Sequence, residues 1–163
     1  MGEVPKEILD KITEELKTTF RMIGDIGQEE TMPKPAFNQF RNQYRSNQVL
    51  DFLDEKFAGR VLAITKEDMY TEGLNYIFGQ AKMKGRVAIV SIARLDPTFW
   101  HQPKDEGLLE IRTVKESIHE IGHVLGLGHC NNRGCVMNFS NTVGDVDKKT
   151  KYLCNTCKTQ LSL

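Results

Sequence analysis

Between residues 119 and 129 the chain reads His-Glu-Ile-Gly-His-Val-Leu-Gly-Leu-Gly-His, and this string dictates a backbone path. Ile111, Val114, Ile118, Ile121 and Leu125 step by three and four, the spacing of one helical face, so a helix is predicted from Asp105 to about Leu125. That helix puts His119 and His123 one turn apart on the same side, about 6 Å from each other and able to converge on one ion. Both stand beside the apolar stripe, at the seam between buried and open surface, where a metal on the floor of a cleft belongs. Gly126 follows, a residue type that takes a left-handed conformation at a helix end without steric cost. The backbone can turn there, and Leu127-Gly128 bring His129 back toward the other two.

Three neutral imidazoles leave the fourth position of a zinc ion open, as catalytic rather than structural sites do. Glu120 follows His119 directly and so does not share the ligand face, yet it can reach a water at the ion. Zinc draws the pKa of such a water toward about 7, and a nearby carboxylate can take its proton and pass it to a leaving amine. The first five residues of the string alone arise by chance in many chains. With 13 Gly and 4 His in 163 residues, Gly126 and His129 in register cut chance matches about five hundredfold. A helix with merely exposed or hydrogen-bonded histidines is the bland alternative. It is the better reading for His101, which stands alone in the loop Trp100-His101-Gln102-Pro103 with no partner at ligand spacing. Glu116, in the same helix as Glu120, reads as a solvated glutamate.

The four cysteines, Cys130, Cys135, Cys154 and Cys157, all fall in the last 34 residues. Disulfides that staple a whole small fold would be spread more widely. The start, Met-Gly-Glu-Val-Pro-Lys, leads into a charged amphipathic stretch with no apolar export segment, so a reducing, cytoplasmic setting is expected, which favours thiolate ligands over disulfides. Two short knuckles with a polar loop between them suit tetrahedral four-sulfur zinc, a closed and therefore structural site. Two disulfides or free buried thiols are the alternatives. A redox pair at Cys154 and Cys157 would want a helix N-terminus, and none is read there. Cys130 directly follows His129, so adjacent side chains would serve two different ions.

The length fits one domain, and Lys plus Arg equals Asp plus Glu at 22 each, which leaves no basic field for nucleic acid. No long uncharged apolar run speaks for a membrane, and a myristoylated Gly2 is rejected because Lys6 stands where Ser or Thr is wanted. A monomer is expected. Val4, Ile8, Ile12 and Leu16 predict a helix over residues 4–17, followed by a strand over 19–26 and a loop over 28–35. Ser46 reads as the N-cap of a helix that buries Val49, Leu50, Leu53 and Phe57 and closes at Gly59. Residues 60–65 read as a buried strand. Residues 75–82 and 86–93 read as an antiparallel hairpin turning at Met83-Lys84-Gly85, the first an edge strand, the second central. Beyond Gly128 periodicity fades, and the tail has to be held by something other than a core. The class is α/β (α+β).

The histidine string running into Cys130, then Cys135-Val136-Met137, then Cys154-x-x-Cys157, resembles the archaemetzincins, metalloproteases of the metzincin clan. Phe37-Asn38, Arg41-x-Gln43-Tyr44-x-Ser46, Ile64-Thr65-x-x-Asp68-Met69-Tyr70 and the stretch from Gly73 to Gly79 are similar to the same family, so the resemblance covers most of the chain from about residue 37. It implies a twisted mixed sheet with an antiparallel edge strand, an active-site helix, and an irregular zinc-stabilised C-terminal part. One catalytic domain then divides into residues 1–126 and residues 127–163. Met137 would be the Met-turn residue beneath the histidines, packing and not ligating, and residues 75–82 the edge that pairs with an extended peptide substrate. The family implies a strand near its N-terminus, where this chain reads as helix.

The expected function is zinc-dependent hydrolysis of peptide bonds in a peptide or protein, with two zinc ions per chain, Glu120 as the general base, and aminopeptidase-like activity suggested by the resemblance alone. A zinc-binding interaction module with a vestigial hydrolase site is the alternative, against which stands the presence of Glu120 and of every ligand. Hydrolysis of a non-peptide amide is a third reading.

Overall fold

A computed structural model describes residues 4–163; Gly2 lies outside them. Helix α1 spans Lys6–Phe20 and buries Ile8, Ile12 and Phe20 on one side. The strand expected over 19–26 does not form. Phe20 lies two helical turns beyond Ile12, so the same face that buries Ile12 buries Phe20 and rewards continuing the helix through it. Arg21 then breaks off in a left-handed conformation, and residues 21–33 are irregular, with Ile23 left 92% exposed.

Strands β1 (Phe37–Asn38), β2 (Gln43–Arg45) and β4 (Met69–Tyr70) form one small sheet in the order β1-β2-β4, antiparallel then parallel. Helix α2 (Ser46–Lys56) follows β2 directly. Ser46 opens it without capping it: Arg45 holds the cap position, and the Ser46 hydroxyl donates to the Tyr70 carbonyl at 2.9 Å, tying α2 to β4. Strands β3 (Val61–Thr65), β5 (Gly79–Ala81) and β6 (Val87–Ser91) form a second sheet with β6 in the middle, parallel to β3 and antiparallel to β5. The expected hairpin and the edge position of β5 are both present, though the regular part of that edge is three residues. The mixed sheet is thus divided in two, with a single bridge between Met69 and Ile77 reaching across.

Every residue of β6 is buried, because both faces of its sheet are covered. Val87 and Ile89 pack with Val49, Leu50 and Leu53 of α2, while Val90 joins the opposite cluster. That opposite cluster is centred on helix α3 (Glu106–Val124), whose Val114, Ile118 and Ile121 meet Ile8 and Ile12 of α1. Asp105 caps α3, accepting from Leu108 N at 2.8 Å. The tail carries two short helices, α4 (Val143–Lys148) and α5 (Asn155–Gln160). Contrary to expectation it does share the core: Val136, Met137, Val146, Leu153 and Cys157 pack in the α1–α3 cluster. Buried cations on α3 add to this grip. Arg112 pairs with Asp147 at 2.7 Å, and Lys115 donates to the Val146 carbonyl at 3.0 Å at the end of α4. No helix among the described residues is long and apolar enough to cross a membrane.

Candidate active site

The end of α3 shows why the sequence string needs its glycine. Gly126 has φ 101°, its N–H donates to the His123 carbonyl at 2.9 Å, and Leu127 N–H donates to the Gly122 carbonyl at 2.9 Å. This pair of bonds is the Schellman termination, with Leu127 as its buried apolar anchor. The β5–β6 turn adds a third bond, from Lys84 N to the His123 carbonyl at 3.1 Å, and the Lys84 side-chain stem lies over Gly126.

The reversal brings the third imidazole home. The ring centroids of His119, His123 and His129 are 4.5 to 5.4 Å apart, and one ligand nitrogen from each lies within 4.8 Å of the others. His119 Nδ1 bonds to the Val136 carbonyl at 2.9 Å and His123 Nδ1 to the Leu127 carbonyl at 2.7 Å. A carbonyl only accepts, so both Nδ1 atoms carry the proton and both Nε2 atoms present lone pairs. Those Nε2 atoms are 3.0 Å apart, close to the roughly 3.3 Å edge of a tetrahedron with zinc–nitrogen bonds of about 2.0 Å. The donor set fits a zinc ion. All three imidazoles are held below the usual histidine range, chiefly by burial, which keeps them neutral as ligands must be. His101 stays apart from them, exposed at the end of the 3-10 turn Pro97–Trp100.

Glu120 is buried beside the ligands, and its carboxyl is pushed well above the usual range by burial and by the neighbouring Glu116 charge. Strand β5 passes directly over it: a Cβ on Gly79 would fall 2.7 Å from Glu120 Oε1. Below the helix Met137 is fully buried, and a Cβ on Gly122 would lie 2.9 Å from its Cε atom. The glycines of the string and of the edge strand therefore allow the methionine and the strand to close on the ligands from two sides. A cavity of about 310 Å³ opens here, lined by β5, the three histidines, Glu116, Glu120 and residues Phe139–Asn141.

Cys130, Cys135, Cys154 and Cys157 also converge, their sulfurs within 4.8 Å of one another. Cys130 and Cys154 sulfurs are 3.8 Å apart, and those of Cys135 and Cys157 are 3.7 Å apart. A disulfide needs about 2.05 Å, whereas zinc–sulfur bonds of about 2.3 Å give a tetrahedral edge of about 3.8 Å. The set fits zinc and does not fit disulfides. Cys154 does occupy the N-cap of α5, a helix N-terminus that the sequence did not disclose, and the Cys157 N–H bond draws its thiol down to about 7. Burial pushes Cys135 up.

Glu116 is a correction. It is not solvated but 4% exposed, one turn before Glu120 on the cleft face, with Lys149 Nζ 2.9 Å away. Its spacing of three, four and seven residues to His119, Glu120 and His123 was the available signal. Lys149, itself buried, comes from the irregular tail and had none.

The fold recurs in solved structures. The chain superposes on the archaemetzincin of Methanopyrus kandleri with a TM-score of 0.90 at 38% identity, covering 99% of this chain and 89% of that one. It superposes on a zinc-dependent peptidase from Methanocorpusculum labreanum with a TM-score of 0.88 at 34% identity, covering 97% and 95%. Fold and site together define a zinc metallopeptidase. The archaemetzincin of Methanocaldococcus jannaschii is 41% identical over 161 residues, 99% of this chain and 89% of that protein. The model of peptidase family M54 matches residues 5–163, and the chain belongs to that family.

Proposed function

We propose that His119, His123 and His129 hold a catalytic zinc, that Cys130, Cys135, Cys154 and Cys157 hold a structural one, and that Glu120 is the general base for hydrolysis of a peptide bond. The observation that carries this is the convergence of three neutral imidazoles, two locked by their Nδ1–H bonds, beside a buried carboxylate in an open cavity. Zinc in the histidine site supplies a Lewis acid that polarises the scissile carbonyl and makes a water acidic. Glu120 takes the proton of the attacking water and delivers it to the leaving amine. Its pKa is raised by burial, which makes it a stronger base than a solvated carboxylate.

The substrate strand adds to β5. Phe78 O accepts from Ser91 N and Lys82 N donates to Val87 O, so antiparallel alternation turns the backbone groups of Gly79 and Ala81 outward, free to pair with an extended peptide. Gly79 lies over Glu120, which supports a pairing next to the reacting bond. Met137 packs beneath the ligands as a metzincin Met-turn, and the described residues up to Gly126 and residues 127–163 are two parts of one catalytic domain. Glu120→Ala tests the assignment. Elemental analysis is expected to find both zinc ions retained, while hydrolysis of a peptide library falls by about 10² to 10⁴-fold. Unchanged hydrolysis would send the search to another base.

A further inference from the structure

The two ends of the cleft differ. One wall is β5 with the residues that lead into it, and the facing wall is the segment Phe139–Asn141 of the tail. Tyr76, three residues before Gly79, reaches from the first wall to the second: its hydroxyl donates to the Asn141 carbonyl at 3.0 Å. Among the described residues no other hydrogen bond joins these two walls. The tie is braced on both sides. The Arg94 guanidinium lies 4.3 Å from the centre of the Tyr76 ring and is itself held by Asp68 at 2.7 Å, while Phe78 packs edge-on against the ring at 5.5 Å. On the tail side Asn141 leads into the capping box in which Thr142 and Asp145 start α4. At the other end, past Ala81, the wall runs out at the exposed Met83, and no such tie follows.

We propose that the tie between Tyr76 and Asn141 closes the cleft on the side of the leaving amine and restricts hydrolysis to bonds within about three residues of a substrate's C-terminus. The orientation comes from β5. A peptide that pairs with it antiparallel forms the more stable ladder, and it then runs with its C-terminal part toward Tyr76. The scissile bond belongs near Gly79, which lies over Glu120. From Gly79 back to Tyr76 an extended backbone covers at most about 11 Å, so about three substrate residues fill the distance. An added strand needs about 4.8 Å beside β5, and two walls joined by a hydrogen bond of 3.0 Å leave no such passage. Residues on the acyl side lie toward Ala81 and Met83, where the peptide can leave the cleft. A cavity of about 310 Å³, at the small end of ligand pockets, agrees with a short bound segment.

This closed end rests on the peptidase reading, and binding separates the two. A hydroxamate chelates zinc and needs no turnover. A succinyl hydroxamate coupled to the N-terminus of a peptide sets that peptide on the leaving-amine side, and a hydroxamate at a peptide's C-terminus sets it on the acyl side. Each series is lengthened from one to six residues, and its affinity for the zinc-loaded wild-type protein is measured by calorimetry. On the leaving-amine side affinity is expected to fall at least about tenfold beyond three residues, since a longer peptide must break the tie or give up its pairing with β5. On the acyl side no fall is expected, and Tyr76→Ala is expected to abolish the fall on the other. Should Tyr76→Ala fail to fold, the two wild-type series decide alone. Equal affinity at all lengths, a fall in the acyl-side series, a fall that survives in a folded Tyr76→Ala protein, or no binding in either series overturns the proposal. A length limit in binding without hydrolysis of any peptide by the wild-type protein would leave the closed end standing and sink the peptidase reading alone.

Discussion

The histidine cluster and the cysteine cluster lie side by side yet are built in opposite ways. Two of the three imidazoles ride on a 19-residue helix whose end is closed by three backbone bonds, and each is oriented by a carbonyl. The protein has prepared that site before any ion arrives. The cysteines sit on turns and on a six-residue helix. Their nearest polar neighbours are one another and a few backbone N–H groups, such as Cys154 N at 3.3 Å from Cys135 Sγ. Four thiols brought together gain little from each other, so the ion has to supply what holds them. An ion that joins a preformed site adds function, whereas an ion that assembles its site adds stability. The link between the two is the peptide bond from His129 to Cys130.

The largest expected effect divides the clusters by substitution. Structural zinc in small cysteine-rich units contributes on the order of 10 to 16 kcal/mol, comparable with the stability of a whole domain. Cys154→Ser is therefore expected to cost both ions or the soluble protein itself, while His123→Ala keeps one ion and the fold. Zinc content and thermal unfolding of the two variants, measured together, check this. A folded Cys154→Ser protein with its catalytic ion would break the comparison.

A smaller effect sharpens it on the helix side. Gly122→Ala drives a methyl group into the fully buried Met137 from the buried Gly122 position, and overpacking of this kind costs about 1 to 3 kcal/mol. The unfolding midpoint should fall while zinc at the cysteines is retained, as read by denaturant titration with metal analysis.

The smallest effect is a dependence on pH. In protein stripped of metal at the histidine site, the three imidazoles titrate below their usual 6.5, with burial as the main cause. The unfolded chain then binds more protons than the folded one below about pH 6.5, so stability declines as pH falls through that window. Glu120 has the opposite sign. Its pKa is raised above 4.5, so the folded protein keeps a proton that the unfolded chain has released, and this contribution weakens stability as pH rises from 4.5. Denaturant titrations across this range should show both slopes, and Glu120→Gln should remove only the second.

Much of the site was legible because its signal is local. The stripe from Ile111 to Leu125, the two histidines one turn apart and Gly126 together specify a helix and its stop, and the structure forms both. The β5–β6 hairpin was legible for the same reason. Strands β1, β2 and β4 were not, since two or three residues are too few for an alternating pattern to show. Glu116 was misread because burial of a charge depends on its partner, and Lys149 lies 33 residues away in a segment without periodicity. The irregular tail hid its share of the core likewise: Val136, Met137 and Leu153 are placed by turns, which leave no repeating trace in sequence.

The bond between His129 and Cys130 also sets an order of events during synthesis. His119 and His123 leave the ribosome first and can take their places as soon as α3 forms. His129 follows within a few residues, but its neighbour Cys130 is held in place through the Met137 carbonyl and the Cys154 sulfur. On the proposed assignment the third ligand would be fixed only once residue 157 has been made and the four sulfurs can close on an ion. A nascent chain that already carries every histidine then still lacks the segment that holds the third one in place.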